Sequence, residues 1–436
     1  MLQKFVDIDE AFAWIESFTN LEKDAKERKS HYRPERMAEV LEHFGNPHLA
    51  CRVIHTAGSK GKGSTSVLLA SGLSQNGWKT GLYTSPHVLH YRERIQIDSS
   101  PLEDQKYIDC ISFIKEKLDI RLPGGTEPTT FELLTLLAFQ LFKEENCDFC
   151  VIETGLGGRL DATNAVKPEA SVLTPIELEH TQWLGDTLEA IAGEKAGIIK
   201  PDTPVFSAPQ KAEVESVFRQ KASEQNAPFQ ILNEQIKNIE STVSSEGTSY
   251  AIEYKDGRNV VGKLKLPGHI QAWNAALALN VLTTLYPEVD EPIWLEGFAK
   301  ASLPGRMEIL SKDPLIVLDG SHTPCSVTLA LESFRSISNE TADKILLFAC
   351  QDDKDAETMA GILSSAFSKI VITTPGFFKK SSPERVYKAF SSIRKGCILE
   401  EDPGEALKSV LSEEMDVLIM GSFILAGAVK KLYGVQ

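Results

Sequence analysis

At 436 residues the chain is too long for one ordinary domain and fits two or three. A hydrophobic share of 42% and a charged share of 25% describe a globular chain with a sizeable core and exclude a disordered one. With 46 Lys and Arg against 61 Asp and Glu, the formal charge is −15; this excludes a broad basic field for nonspecific nucleic-acid binding but allows a local phosphate pocket.

Short apolar runs alternate with helical patterns through the first two-thirds of the chain. The runs fall at 52–58, 81–86, 149–155, 170–176 and 204–209, with amphipathic stretches at 131–145 and 187–199 between them. Runs without internal alternation, separated by helices, predict parallel strands covered on both faces. Segment 229–267 is polar, rich in β-branched residues and carries the turn pair Asp256-Gly257, which predicts a small antiparallel excursion. A helix is expected from about His269 to Leu285. Pro287 and Pro292 then punctuate a boundary. A second alternating set follows at 315–320, 344–350, 369–374, 397–402 and 416–422, a second doubly wound domain. The expected fold is α/β: a P-loop-type, mostly parallel sheet domain with the antiparallel excursion over 1–297, then a Rossmann-like α/β domain over 298–436. Ligands of open parallel sheets sit beyond the carboxyl ends of strands, so a site in the interdomain cleft is expected.

The run 417–429 is apolar for 13 residues but contains Gly and Ser; it suits a buried strand and turn and not a membrane span. Residues 1–18 carry acids throughout and no small-residue cleavage site, unlike a secretory leader. Seven scattered Cys read in that setting as reduced thiols of a cytoplasmic protein. Cys147 and Cys150 are close, but no second pair completes a zinc site, and both read as packing residues of an apolar strand.

The first strand runs into GSKGKGST and then a helix. Gly58, Gly61 and Gly63 let backbone N–H groups turn around an anion, and the helix start adds partial positive charge. Lys62 is placed to reach β- and γ-phosphates, and Ser64 to ligate magnesium. The generic G-x-x-x-x-G-K-[ST] spacing is not matched, so a tight glycine turn is the bland alternative. Glu153 stands where a strand meets a glycine-rich loop, as a hard oxygen ligand for magnesium or as a cap. Ser85 ends the neighbouring strand, as a hydroxyl ligand or a turn residue. His180 follows the fourth strand; alone it reads as a hydrogen-bonded histidine. Lys195 lies in an apolar helical stretch. Spacing alone favours a lysine snorkelling to solvent or paired with Glu194; buried, its pKa would fall and a neutral amine could add carbon dioxide.

In order, TAGSKGKGS, TSPHVLHYRERI, TTFELLTLLAF, ETGLGGRLDATN, GDTLEAIAGEKAGIIK, LPGHIQAWNAALA, LPGRMEI, LDGSHTP, DDKD and GSFILAGAV resemble folylpolyglutamate synthase and dihydrofolate synthase, the FolC-type branch of the Mur ligase superfamily. The resemblance runs from about residue 30 to 430. It implies ATP, L-glutamate and a folate or dihydropteroate as small-molecule substrates, joined through an acyl phosphate with magnesium, two ions in all. It implies that Gly61, Lys62, Gly63 and Ser64 hold the ATP phosphates. Asn274, Arg306 and Asp319 would make further ATP contacts. Ser85 and Glu153 would ligate one magnesium, and His180 a second, supported by Lys195 as a carbamate. Thr129, Thr130 and Phe131 resemble part of the pterin-binding loop, and His322 faces the reacting groups. A cytoplasmic monomer with neither nucleic acid nor membrane as partner is expected.

The chain departs from the family pattern at three places. Ser59-Lys60 replaces the phosphate-loop Asn, Glu179-His180 replaces Asp-His, and DGSHTP replaces D-G-A-H-N-P with Ser321 and Thr323. Rival readings are another Mur-superfamily amino-acid ligase, against which GLGGRLDATN argues, and a nucleotide-binding protein that has lost ligation. A Rossmann dehydrogenase is excluded because the first strand–turn lacks G-x-G-x-x-G.

Overall fold

The computed structural model describes residues 5–21, 34–118, 127–339, 343–376 and 381–434. Residues 1–4 and 30–33, touched by the leader and resemblance arguments, lie outside these.

The first sheet is built from β1 (Arg52–Ala57), β2 (Thr80–Tyr83), β3 (Ile95–Ile97), β4 (Ser100–Pro101), β5 (Phe149–Glu153), β6 (Ala170–Leu173), β7 (Val205–Ser207) and β8 (Phe229–Ile231), ordered β4-β3-β2-β5-β1-β6-β7-β8. All pairings are parallel except the β2–β3–β4 edge. β1 is buried at every residue after Arg52, which explains its unbroken apolar run. It lies between β5 and β6, with Thr56 opposite Glu153 and Ala57 opposite Leu173. Three strands therefore end together at one rim.

Helix Lys62–Gln75 is buried from Ser64 to Leu73. It packs against His269–Leu285 and Glu291–Lys300, which share its apolar core. Helices Ile8–Glu16, Asp104–Leu118 and Thr130–Glu144 contribute to the core on the other side. The helix expected near 269–285 is found there.

The antiparallel excursion is the three-stranded sheet β9 (Ile236–Ser244), β10 (Gly247–Tyr254) and β11 (Asn259–Leu264). It begins later than expected, because Phe229–Ile231 pairs with β7 and extends the first sheet. The hand-over between domains also differs. A cut at 297 falls inside helix Glu291–Lys300, whose Trp294 and Phe298 are buried in the first core. Pro292 stands in the first turn of that helix, where its missing N–H costs nothing, so it marks a helix start and not a domain end.

The second sheet comprises β12 (Glu308–Lys312), β13 (Leu315–Asp319), β14 (Lys344–Phe348), β15 (Lys369–Ile372), β16 (Ile398–Leu399) and β17 (Asp416–Met420), ordered β12-β13-β17-β14-β15-β16. Only β12 is antiparallel. The apolar run 417–429 is a strand followed by helix Phe423–Tyr433; Ser422 starts the helix by accepting from Ile424 N. No helix of the described residues is long and apolar enough to cross a membrane.

The expectation of seven reduced thiols is corrected. Cys51 and Cys150 form a disulfide, with Cα atoms 6.1 Å apart. The side-by-side pairing of β1 and β5, which puts Val53 opposite Cys150, brings them together across 99 residues. Cys147, the near neighbour in sequence, is buried and free.

Candidate active site

A cavity of about 670 Å³ lies between the two domains. Its walls carry Gly61, Lys62, Gly63, Ser64, Ser85, Thr129, Phe131, Glu153, His180, Asn274, Arg306, Asp319 and His322. Two expected residues are not on its wall. Thr130 turns into the protein, where its hydroxyl donates to Ile15 O at 3.2 Å and Phe18 O at 3.1 Å. Lys195 is fully buried behind the phosphate loop.

The phosphate loop follows from close approach. A Cβ on Gly58 would stand 1.8 Å from Thr174 Oγ1, so only glycine lets β1 leave the sheet beside β6. Gly61 has φ +82°, and a Cβ there would lie 2.6 Å from Asn274 Oδ1. That contact brings Asn274, on a helix more than 200 residues later in the chain, against the loop. Asn274 is itself held by Gln271, donating to its Oε1 at 2.9 Å. Lys62 opens the helix and donates to Gly58 O at 3.0 Å. The arrangement presents backbone N–H groups, a helix start and an ammonium to an anion.

Glu153 ends β5, lines the cavity and accepts from Ser85 N at 3.1 Å. Burial raises its pKa, against the pull of Lys62, the Ser85 N–H, Arg306 and Arg94. Among the described residues no group of three or more His, Cys, Asp or Glu converges to hold a metal. One carboxylate with the hydroxyls of Ser64 and Ser85 fits magnesium, which takes few protein ligands and draws its other oxygens from phosphates and water. His180 also lines the cavity, and burial pushes its pKa down to about 4.

Lys195 has a different partner from the one spacing suggested. Glu194 pairs with Arg159 at 2.8 Å. Lys195 Nζ donates to Gly58 O at 2.7 Å and to Glu179 Oε1 at 3.0 Å. Burial lowers its pKa to about 8, with Glu179 opposing. Burial alone would raise Glu179, but Lys195, Lys62 and Lys60 outweigh it and hold the carboxyl near 2.

From the second domain, Asp319 ends β13 and accepts from Met307 N at 2.8 Å and Ser321 N at 2.7 Å. Arg306 stacks over Phe423, 4.4 Å from the ring centroid. Burial lowers its pKa, opposed by Asp319 and Glu153. His322 Nδ1 is 2.8 Å from Gly320 O. A carbonyl only accepts, so Nδ1 carries the proton, and burial, lowering the pKa to about 3, keeps the ring neutral. Nε2 is then an acceptor.

Thr129 caps helix Thr130–Glu144 in a reciprocal box with Glu132, whose carboxylate also binds Arg36. The T-T-F-E spelling carries that capping signal as well as the resemblance to a substrate loop. Phe131 is on the cavity wall, its ring against the backbone at Gly155. The wall also holds Lys60, Arg94, Asp161, Glu179, Gln271 and Lys354, outside the expected set. Asp161, within GGRLDATN, accepts from Leu156 N at 2.8 Å, Thr163 N at 3.0 Å and Thr163 Oγ1 at 2.6 Å, so its motif was a usable signal.

The family model of the Mur ligase middle domain matches residues 56–282, and that of the Mur ligase glutamate ligase domain matches 305–423. With the anion loop, the carboxylate on the adjacent strand end and the second domain's polar groups on one cleft, this defines a ligase of the Mur type. The chain is 33% identical to dihydrofolate synthase/folylpolyglutamate synthase of Bacillus subtilis, over 91% of this chain and 94% of that one. It is 31% identical to folylpolyglutamate synthase of Lacticaseibacillus casei, over 97% of each chain. The solved structure of E. coli FolC in complex with DHPP and ADP superposes with a TM-score of 0.83 at 26% identity, covering 100% of this chain and 99% of that one. The chain belongs to the folylpolyglutamate synthase/dihydrofolate synthase family.

Proposed function

We propose that the protein joins L-glutamate to the carboxylate of a folate, of dihydropteroate, or of both, with ATP as the activating substrate. The observation that carries this reading is that phosphate loop, buried carboxylate and second-domain Arg306, Asp319 and His322 line one cavity. A carboxylate is a poor acyl donor until one of its oxygens becomes a leaving group. Transfer of the γ-phosphoryl group of ATP makes an acyl phosphate and ADP; the glutamate amine adds to the acyl carbon, and phosphate departs with the former carboxylate oxygen. Gly61 to Ser64 hold the phosphates, with Asn274, Arg306 and Asp319 as further nucleotide contacts. Lys62 offsets charge on the transferring group. Neutral His322 offers Nε2 as a hydrogen-bond acceptor that orients an N–H of the incoming amine, and the departing phosphate carries off the amine's proton. The enclosing domains keep water from the acyl phosphate. Phe131 and Thr129 line the acid's part of the cavity.

Ser64, Ser85 and Glu153 would hold magnesium, and His180 a second ion; bound there, magnesium supplies positive charge to the phosphoryl oxygens. Lys195 as a carbamate would add an anionic oxygen ligand beside Glu179 and His180, and intact mass with and without bicarbonate reads this directly. The acidic chain acts as a monomer on small molecules, in the cytoplasm where ATP is supplied.

The test is a substrate panel. Dihydropteroate and tetrahydrofolate are each offered with ATP, magnesium and glutamate, and products are identified by mass. Extension of either by one glutamate is expected; extension of neither, with ATP still bound, defeats the reading.

A further inference from the structure

Two departures from the family pattern meet in the fold. Lys60 of the phosphate loop donates from Nζ to Thr323 Oγ1 at 2.8 Å, across 263 residues and from one domain to the other. Each partner is anchored on its own side. Ser59 N and Lys60 N donate to Pro175 O at 2.9 and 3.2 Å, and Ser59 Oγ donates to Glu177 O at 3.2 Å. Thr323 is the N-cap of helix Pro324–Ile337, in a reciprocal box with Ser326 at 2.8 Å. A second link runs alongside: the Cys325 thiol donates to Glu177 Oε1 at 2.7 Å.

The two loop lysines differ in what they hold. Lys62 donates to Gly58 O, within its own loop. Lys60 takes its acceptor from the opposite domain. Burial lowers its pKa, while Glu179 and Glu177 oppose that. Lys60 is partly buried where the domains meet, and its ammonium finds Thr323 Oγ1 there, so this hydrogen bond forms only when the domains dock. Thr323 directly follows His322, which lines the cavity, so the contact lies one residue from that ring.

We propose that Lys60 is a positioning residue that clasps the start of helix Pro324–Ile337 through Thr323, and so places His322 over the phosphate loop for the amine-addition step. The proposal rests on the ligase reading above. A clasp of this kind acts most on the step that needs His322 in place; nucleotide binding, which draws on residues 61–64, Asn274, Arg306 and Asp319 and not on Thr323, is affected far less.

The test is a double-mutant cycle on the full chain. Lys60→Ala and Thr323→Val are each expected to lower kcat/KM for glutamate about tenfold, and Thr323→Ser to restore it. The double variant is expected within about twofold of the worse single, and the Kd of a non-hydrolysable ATP analogue to change less than about threefold. Additive losses overturn the proposal. So does Lys60→Ala weakening the analogue as much as turnover while Thr323→Val is silent, which makes Lys60 a phosphate ligand only. Hydrogen exchange supplies a readout independent of turnover. Each single variant is expected to raise exchange in both 58–61 and 322–327, and a rise confined to the altered segment overturns the clasp. If the unaltered protein extends no folate or pteroate, the ligase reading fails and the exchange data still decide the clasp.

Discussion

β5 of the first sheet delivers Glu153 into a wall that already holds Lys62 and Glu179, the latter paired with Lys195 buried just behind. β13 of the second delivers Asp319 into two backbone N–H groups, beside an arginine stacked on Phe423 and a neutral histidine. Both use the same device, a carboxylate at the end of a parallel strand. They differ in how it is stabilised. In the first domain Glu153 meets one backbone N–H, from Ser85, and the charges around it are balanced between side chains, Lys195 on Glu179 with Lys62 near both, so removing Glu179 leaves Lys195 buried and uncompensated. In the second, backbone dipoles hold the carboxylate, and substitutions nearby disturb geometry more than charge. The first wall is thus suited to phosphates and cations, the second to placing groups against them.

The sharpest way to break this contrast is Lys62→Ala. Loss of the ammonium at the transferring group should lower glutamate-dependent phosphate release about 10³-fold with the fold intact by circular dichroism. Next is Glu179→Gln, which leaves Lys195 buried without its carboxylate and should cost about 3 kcal/mol in denaturant unfolding. The sign follows from Glu179's depressed folded pKa. Its stabilising effect is present above the unfolded value of 4.5 and is lost as pH falls towards about 2, so the variant should lack that acid-limb dependence. If Glu179→Gln is neutral, the wall is not an ion-balanced one.

Glu153→Gln should lower turnover about 10²-fold and raise the magnesium concentration needed. Its folded pKa is raised, so the native state holds its proton longer than the unfolded chain, and stability falls as pH rises through that window. The variant should therefore melt at a higher temperature than the parent at about pH 8. The smallest effect is expected from Thr130→Val: about 1 kcal/mol of stability, from two lost hydrogen bonds to the end of helix Ile8–Glu16, with kcat/KM unchanged. A large rise in folate KM would return Thr130 to the substrate loop.

Local chemistry was legible in the residues themselves. Unbroken apolar runs announced the parallel strands because both faces of each are covered. Glycines before a helix start announced the anion loop because few other residues fit that turn. Glu153 and Asp319 stand where strands end, and strand ends are readable; His180 lies seven residues past its strand, at the start of helix Thr181–Leu184. The partners were not. Nothing near Lys195 in the chain names Glu179 as its counter-ion, since Glu194 is nearer in sequence yet faces Arg159. Nothing pairs Cys51 with Cys150 until β1 lies beside β5. Thr130 and Phe131, adjacent in the chain, point to opposite sides of one helix start, and only packing tells which meets the cavity. Backbone preference and hydrophobic period act over a few residues, so the chain alone sets its strands, helices and loop; charge pairing and disulfide choice depend on distances that exist only once the first sheet and its helices have assembled, and Lys60's bond to Thr323 only once the two domains have met.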